Sequence, residues 1–282
     1  MSPSRPFQER ASSGHYYYPN YLERSERRAI ESFLEGIHPI WEYRYPTNQP
    51  LPEGREQRQL LRPVYWLGSW QFACLDYYRP PNGLRDRCVL AEDFPRVLSE
   101  IITDVQLKVR RLFPASQVPQ GYALNTCLIN FYGSRLEGDR WVDSARVGEH
   151  RDFEPGPVAS LSIGERALFQ FVTSRPGERR APILSQWLDD GALQIFGGER
   201  LKDRALHRVQ RVDRKQGLEL PPNIQGFRTR RVNFTFRYVP EAHVVPFSRL
   251  RAPAQGAVRG YLNELARHSE FFAQALAVSP SG

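Results

Sequence analysis

Apolar residues recur at helical spacing in three stretches of the chain and alternate with polar residues in many more. From Ser25, the positions Ala29, Ile30, Phe33, Leu34 and Ile37 share one helical face, with Gly36 near the stop. A second helix is predicted from Asp93, a suitable N-cap with Pro95 in the first turn. Its stripe is Val97, Leu98, Ile101, Ile102, Val105, Val109 and Leu112. A last helix fits 257–277 through Tyr261, Leu262, Leu265, Phe272 and Leu276. From Asn125 to Tyr238 the period shortens, and strands are predicted over 125–132, 158–163, 167–173, 192–196, 207–212 and 231–238. Many short strands with flanking helices imply a β-rich α+β protein built as a sandwich, barrel or jelly roll.

Composition adds limits. A chain of 282 residues with 40% apolar content can bury one substantial core. Residues 1–15 are rich in Ser, Pro and Arg and read as a flexible tail, while 46–63 read as a loop. Cys74, Cys88 and Cys127 are odd in number and widely spaced, which indicates neither a zinc ribbon nor a disulfide framework. With a polar N-terminus and no apolar run of the ~18 residues that a membrane span needs, a soluble, reduced, intracellular protein is expected. Nothing requires a protein partner, and a monomer is the expectation. The net charge of +8 suits a polyanionic partner such as nucleic acid, and equally a basic surface with no such partner.

Chemistry concentrates in three segments. In GEHRDFEPG, His150 and Asp152 lie two residues apart, so on extended backbone both point to one face. His207 opens a later strand-like run. Two histidines and one carboxylate can fill one face of an octahedron and leave three positions open, as in non-haem Fe(II) oxygenases. Alone, the triplet is also a chance pattern. In Arg231-Val-Asn-Phe-Thr-Phe-Arg237-Tyr the residues Val232, Phe234, Phe236 and Tyr238 take one face, and Arg231, Asn233, Thr235 and Arg237 the other. Such a polar face is either solvated or turned inward to meet an anion, for which arginine's planar fork is suited. Asn130 and Tyr132 share a strand face upstream and could bond the same anion or sit at a sheet edge.

The order NxY, HxD, H and RxNxTFR resembles the AlkB family of 2-oxoglutarate-dependent dioxygenases over roughly 62–240. RVNFTFR is similar to that family's signature and HRDFEPG to its metal loop. The resemblance implies a double-stranded β-helix, a jelly-roll variant, with a core over 125–240 inside a dioxygenase domain over 16–240. It implies Fe(II) on His150, Asp152 and His207, with 2-oxoglutarate and O2 as cosubstrates. Arg237 would meet the C1 carboxylate and Arg231 the C5 carboxylate, supported by Tyr132, with Asn130 and Asn233 completing the hydrogen bonds. Glu154 would contact the target base, or equally stand as a loop carboxylate in water. A substrate lid would span 62–90, with Trp66, Trp70 or Tyr78 stacking a flipped base, although tryptophans in such a stretch also pack cores.

The links after Tyr132 and after His207 (133–149 and 208–230) are longer than the family pattern and read as loops beside the site. From Glu199 to Arg231 there are ten Lys/Arg against four Asp/Glu, so Arg208, Arg211, Arg214, Lys215, Arg228 and Arg230 are candidates to grip phosphates or to form a solvated basic face. Residues 241–282 lie outside the resemblance, with their helix expected to pack on the core. The implied activity is removal of N-alkyl groups from DNA or RNA bases. The alternatives are the same chemistry on a protein side chain or small molecule, and an inactive nucleic-acid binding module.

Overall fold

The alternating segment around Arg231 becomes an eleven-residue strand, Phe227–Arg237, in the interior of the larger sheet of the computed structural model. The structure describes residues 14–45, 50–51, 53–75, 88–173, 182–210 and 218–278. In chain order its main elements are β1 (His15–Tyr18), α1 (Arg24–Glu35), β2 (Val64–Leu67), β3 (Ser69–Trp70), β4 (Cys88–Leu90), α2 (Arg96–Leu112), β5 (Thr126–Glu137), β6 (Arg140–Asp143) and β7 (Val147–His150). They continue as β8 (Val158–Gly164), β9 (Ala167–Val172), β10 (Pro182–Leu188), β11 (Leu193–Phe196), β12 (Leu206–Gln210), β13 (Phe227–Arg237), β14 (Val244–Val245), α3 (Ala252–Leu265) and α4 (Glu270–Ala277).

The larger sheet runs β1-β11-β8-β13-β5-β2, with β6 paired to β5, and the smaller runs β10-β9-β12-β7. All these pairings are antiparallel. Two such sheets flanked by helices are the jelly-roll core that the strand pattern predicts. The apolar half of β13 decides how the larger sheet is covered. Val232, Phe234 and Phe236 are fully buried in one cluster with Ile30 and Leu34 of α1 and Leu98, Ile101, Val105 and Val109 of α2. The helices therefore seal that face, and the polar half of β13 is turned toward the space between the sheets.

The structure corrects several boundaries. β1 begins at His15, which is 2% exposed and paired with Phe196, so the tail cannot extend through 15; residues 1–13 lie outside the described ones. Pro95, not Asp93, occupies the N-cap position of α2. The 133–149 link is largely a hairpin, because β5 runs on to Glu137 and β6 pairs with it. β13 likewise starts at Phe227, which leaves less of 208–230 as loop. The last helix is two, α3 and α4, split where Ser269 caps α4 by accepting from the Phe272 N–H. Local polar competition at Ser269 outweighs the continuous apolar period there. The α3–α4 pair packs Val258, Leu262, Leu265 and Phe272 into the main core.

The described part of the aromatic stretch expected as a lid is largely interior. β2 pairs with β5, Val64 opposite Asn130, and closes that edge of the larger sheet. Trp66 and Trp70 are each 1% exposed and donate their indole N–H groups to Glu42 Oε1 at 2.9 and 2.7 Å, while the Ala73 N–H reaches Oε2 at 3.1 Å. They cannot stack a base without leaving this bonded core, and the expectation for both is corrected. Tyr78 lies outside the described residues.

Burial pushes the Glu42 carboxyl up from 4.5 to about 7, against the pull of its three donors and Arg62. The folded state therefore holds a proton that the unfolded chain releases, and stability falls as pH rises between those values. The full effect is about 3 kcal/mol at 1.36 kcal/mol per pH unit. Urea unfolding from pH 4.5 to 7 should show a decline for the wild type that is shallower by up to that amount in Glu42→Gln; parallel curves would contradict it.

Candidate metal centre

The smaller sheet brings the two histidines together. β12 pairs with β7 so that His207 lies directly across from His150, their ring centroids 4.3 Å apart. Asp152 follows two residues beyond the end of β7, and Arg151, Asp152, Phe153 and Glu154 alternate outward, inward, outward and inward. One ligand atom from each of His150, Asp152 and His207 falls within 4.8 Å of the others, the one such group among the described residues.

Each side chain is held by its neighbours. The His150 Nδ1 contact to the Gly148 carbonyl, 2.8 Å, assigns the proton to Nδ1 and leaves Nε2 as a lone-pair donor. His207 is buried against Phe169, with rings stacked at 5.3 Å and 20°, and against Phe196. Arg237 donates through Nε and Nη2 to Asp152 Oδ1 at 2.9 and 2.7 Å, and Lys202 Nζ donates to the Asp152 carbonyl. Asp152 Oδ2, 3.5 Å from His207 Nε2, is buried with no hydrogen bond.

The electrostatics suit a cation. Burial lowers the pKa of His207 to about 3, with nearby His150 adding to the effect. Burial also lowers that of His150, opposed by Asp152. Both imidazoles are neutral near pH 7. Burial alone would raise the Asp152 pKa, but Arg237, His207, His150 and Lys202 together hold it well below the usual carboxylate range. The site thus presents two neutral nitrogens and one anionic oxygen.

The polar half of β13 forms the wall beside this cluster. One pocket is lined by His150, Asp152 and His207 together with Asn130, Tyr132, Arg231, Asn233 and Arg237, so eight predicted residues meet in one place. Strand register explains the meeting. On β5, Tyr132 opposes Arg231 and Asn130 opposes Asn233. Arg231 is 3% exposed, donates to Ser162 Oγ at 2.9 Å, and keeps a buried Nε with no partner. Burial depresses its pKa to about 10, so it remains cationic near neutral pH with little anionic compensation inside the protein. Asn233 already commits its amide nitrogen to Ser160 Oγ at 2.8 Å and the Leu161 carbonyl at 3.0 Å.

Glu154 is 2% exposed, accepts from Gln71 Nε2 at 2.7 Å and lies 3.5 Å from Arg237 Nε, so it belongs to the site's charge network and not to a solvated loop. The phosphate candidates fare differently. Arg230 is buried among Glu165, Ser134 and Asp143 and is corrected to a structural ion-pair residue. Arg208 bonds Glu149 and Gln170, and Arg228 stacks over Trp141. Arg211, Arg214 and Lys215 lie outside the described residues.

Three contributors went unpredicted. Arg62 is buried, donates to Asn130 Oδ1 at 2.7 Å and lies over the Tyr132 ring, making a third arginine on the pocket wall. Ser160 and Ser162 alternate with Ala159, Leu161 and Ile163 in β8, a period-2 signal that was available to find them.

A family model described as the 2OG-Fe(II) oxygenase superfamily matches residues 14–237. The chain belongs to that superfamily. Among solved structures, that of OsALKBH1 is similar with a TM-score of 0.50 and 21% identity, covering 81% of this chain and 99% of that one, a likeness of fold. Its motifs resemble those of the AlkB family, and the likeness to OsALKBH1 is one of fold. No curated protein matches significantly. The superfamily works with Fe(II), 2-oxoglutarate and O2. The triad fits the metal, because a buried carboxylate oxygen without a partner beside two neutral imidazoles is costly unless a cation completes it. No helix among the described residues is long and apolar enough to cross a membrane.

Anaerobic Fe(II) at about a hundredfold above its Kd should stabilise the wild type by about 2.7 kcal/mol in urea unfolding. His207→Ala should lose that increment. An equal increment in the variant would place the metal elsewhere.

Proposed function

We propose that the oxygenase removes N-alkyl groups from nucleic-acid bases, with His150, Asp152 and His207 holding Fe(II). The observation that supports this substrate is Glu154, a buried carboxylate two residues from the ligand Asp152 and within the same charge network. It offers an acceptor or countercharge to an alkylated base, whose ring is cationic when N-methylated at a position without an exchangeable proton. In this reading Arg237 faces the C1 carboxylate of 2-oxoglutarate, and Arg231, backed by Tyr132, faces the C5 carboxylate. Asn130 and Arg62 brace the wall, and Asn233 acts through the serines of β8.

When bound, Fe(II) with 2-oxoglutarate and O2 would supply the oxidation: one oxygen atom would go to succinate, formed with carbon dioxide, and one to the alkyl carbon, whose hemiaminal would release an aldehyde (formaldehyde for a methyl group) and the free base nitrogen. The chain's own work is positional. Its arginines orient a dicarboxylate in one sense, its aromatic wall of Phe169 and Phe196 keeps His207 away from water, and Glu154 selects what comes near.

One observation favours a second reading, the same oxidation of a protein side chain or small molecule. Trp66 and Trp70 are locked on Glu42, so two expected stacking rings are withdrawn from the site. Phe153, 46% exposed between Asp152 and Glu154, is the large exposed ring next to the ligands in sequence. An inactive binding module is opposed by the intact triad and by the buried, unpartnered Nε of Arg231.

Mass-resolved turnover on N-methylated DNA and RNA oligonucleotides, with Fe(II), ascorbate and 2-oxoglutarate, separates these readings. Loss of a methyl mass with matching succinate, absent in His150→Ala, is the expected result. Succinate without demethylation would move the substrate to proteins or metabolites.

A further inference from the structure

A second cleft, of about 180 Å3, opens beside the metal pocket and shares Arg62, Val147 and His150 with it. Its wall carries four arginines, Arg44, Arg58, Arg62 and Arg146, against one carboxylate, Glu149. Glu149 is itself engaged by Arg208 at 3.0 Å. The Arg58 and Arg146 side chains are exposed and make no hydrogen bond or ion pair among the described residues. None of these four belongs to the motifs that define the metal and cosubstrate site. They reach the cleft from three places: 44 and 58 are joined by the Arg44 N–H donating to the Arg58 carbonyl at 3.0 Å, 62 precedes β2, and 146 precedes β7. A solvated basic surface would spread its charge, whereas here four guanidiniums line one concavity whose inner end is a metal ligand.

We infer that this cleft is the phosphate subsite of the substrate strand, holding the phosphodiesters that flank the base presented to the metal. The inference rests on the nucleic-acid reading above and specifies where the strand lies. A base turned out of its stack rotates about the backbone, so its own phosphates stay at the pocket mouth while the ring enters. Arg62 and His150 mark that mouth, and the arginines beyond them supply charge-assisted, fork-shaped donors at the place those phosphates reach. Such contacts fix register without reading sequence. Acidic peptides would offer carboxylates too, but not anions set at one-nucleotide intervals on both sides of the reacting group.

The test compares Arg58→Ala/Arg146→Ala with a charge-matched control, Arg249→Ala/Arg259→Ala, both sites exposed and the control outside the cleft. Binding of a short single-stranded oligonucleotide with one N-methylated base is measured by anisotropy over a salt series. Affinity for 2-oxoglutarate reports that each variant is folded, and demethylation is followed on the same oligonucleotide. The slope of log K against log salt should become shallower by about 0.7 for each cleft arginine removed. KM for the oligonucleotide should rise by about tenfold or more with little change in kcat, as expected when binding common to ground and transition states is lost. The control should stay near wild type.

Equal losses in both variants would reduce the effect to net charge and overturn the subsite. An unchanged cleft variant that still demethylates would also overturn it, while leaving the proposed function standing. Absence of demethylation by the wild type itself, with 2-oxoglutarate bound, would remove the nucleic-acid reading and the subsite with it.

Discussion

The buried pair of Arg237 and Asp152 is the constraint around which the site is arranged. A carboxylate and a guanidinium, each 6% exposed or less, survive in an interior only when each answers the other with good geometry. Arg237 takes Asp152 Oδ1 with two donors and leaves Oδ2 facing His207. That division of one carboxylate keeps the group ionised and still reserves a lone pair for a metal. It also ties β13 of the larger sheet to the segment after β7 of the smaller one, so the two halves of the jelly roll are locked across the pocket they enclose.

The rest of the architecture follows from how β13 disposes of its two faces. Phe234 and Phe236 must be covered, and α1 and α2 cover them. The arginines on the other face then have no route to solvent and line the inter-sheet pocket. Antiparallel register places Tyr132 and Asn130 beside Arg231 and Asn233, and pairing of β12 with β7 sets His207 opposite His150. Arg231 is buried in this wall with its Nε unpartnered, and in the proposed reading a dicarboxylate cosubstrate would answer it. Outside His150 a second cleft is lined by Arg44, Arg58, Arg62 and Arg146, and in the inference drawn above it would meet phosphates.

What could be read from the sequence was whatever is encoded in short-range spacing. His150 and Asp152 share a face because they are two apart on extended backbone, and the period-2 alternation of 231–238 announced a one-sided strand. The direction in which its arginines face depended on helices far away in the chain. Arg62 escaped notice because its role comes from strand pairing with residues near 130, and a lone arginine before a proline carries no local signal. Trp66 and Trp70 looked like a lid because aromatic rings serve cores and binding sites alike; Glu42, more than twenty residues away, decides that they are core. Arg230 differs from its neighbour Arg231 by a register irregularity between Thr229 and Arg231 that turns it toward Glu165, and no composition argument separates the two.

A crystal structure of the oxygenase grown anaerobically with Mn(II) and 2-oxoglutarate tests the central claim most directly. One anomalous peak bounded by His150, Asp152 Oδ2 and His207 is predicted, with Arg237 still on Oδ1 and the distal carboxylate of 2-oxoglutarate against Arg231. A peak elsewhere, or a cosubstrate lying away from the polar face of β13, would contradict the account.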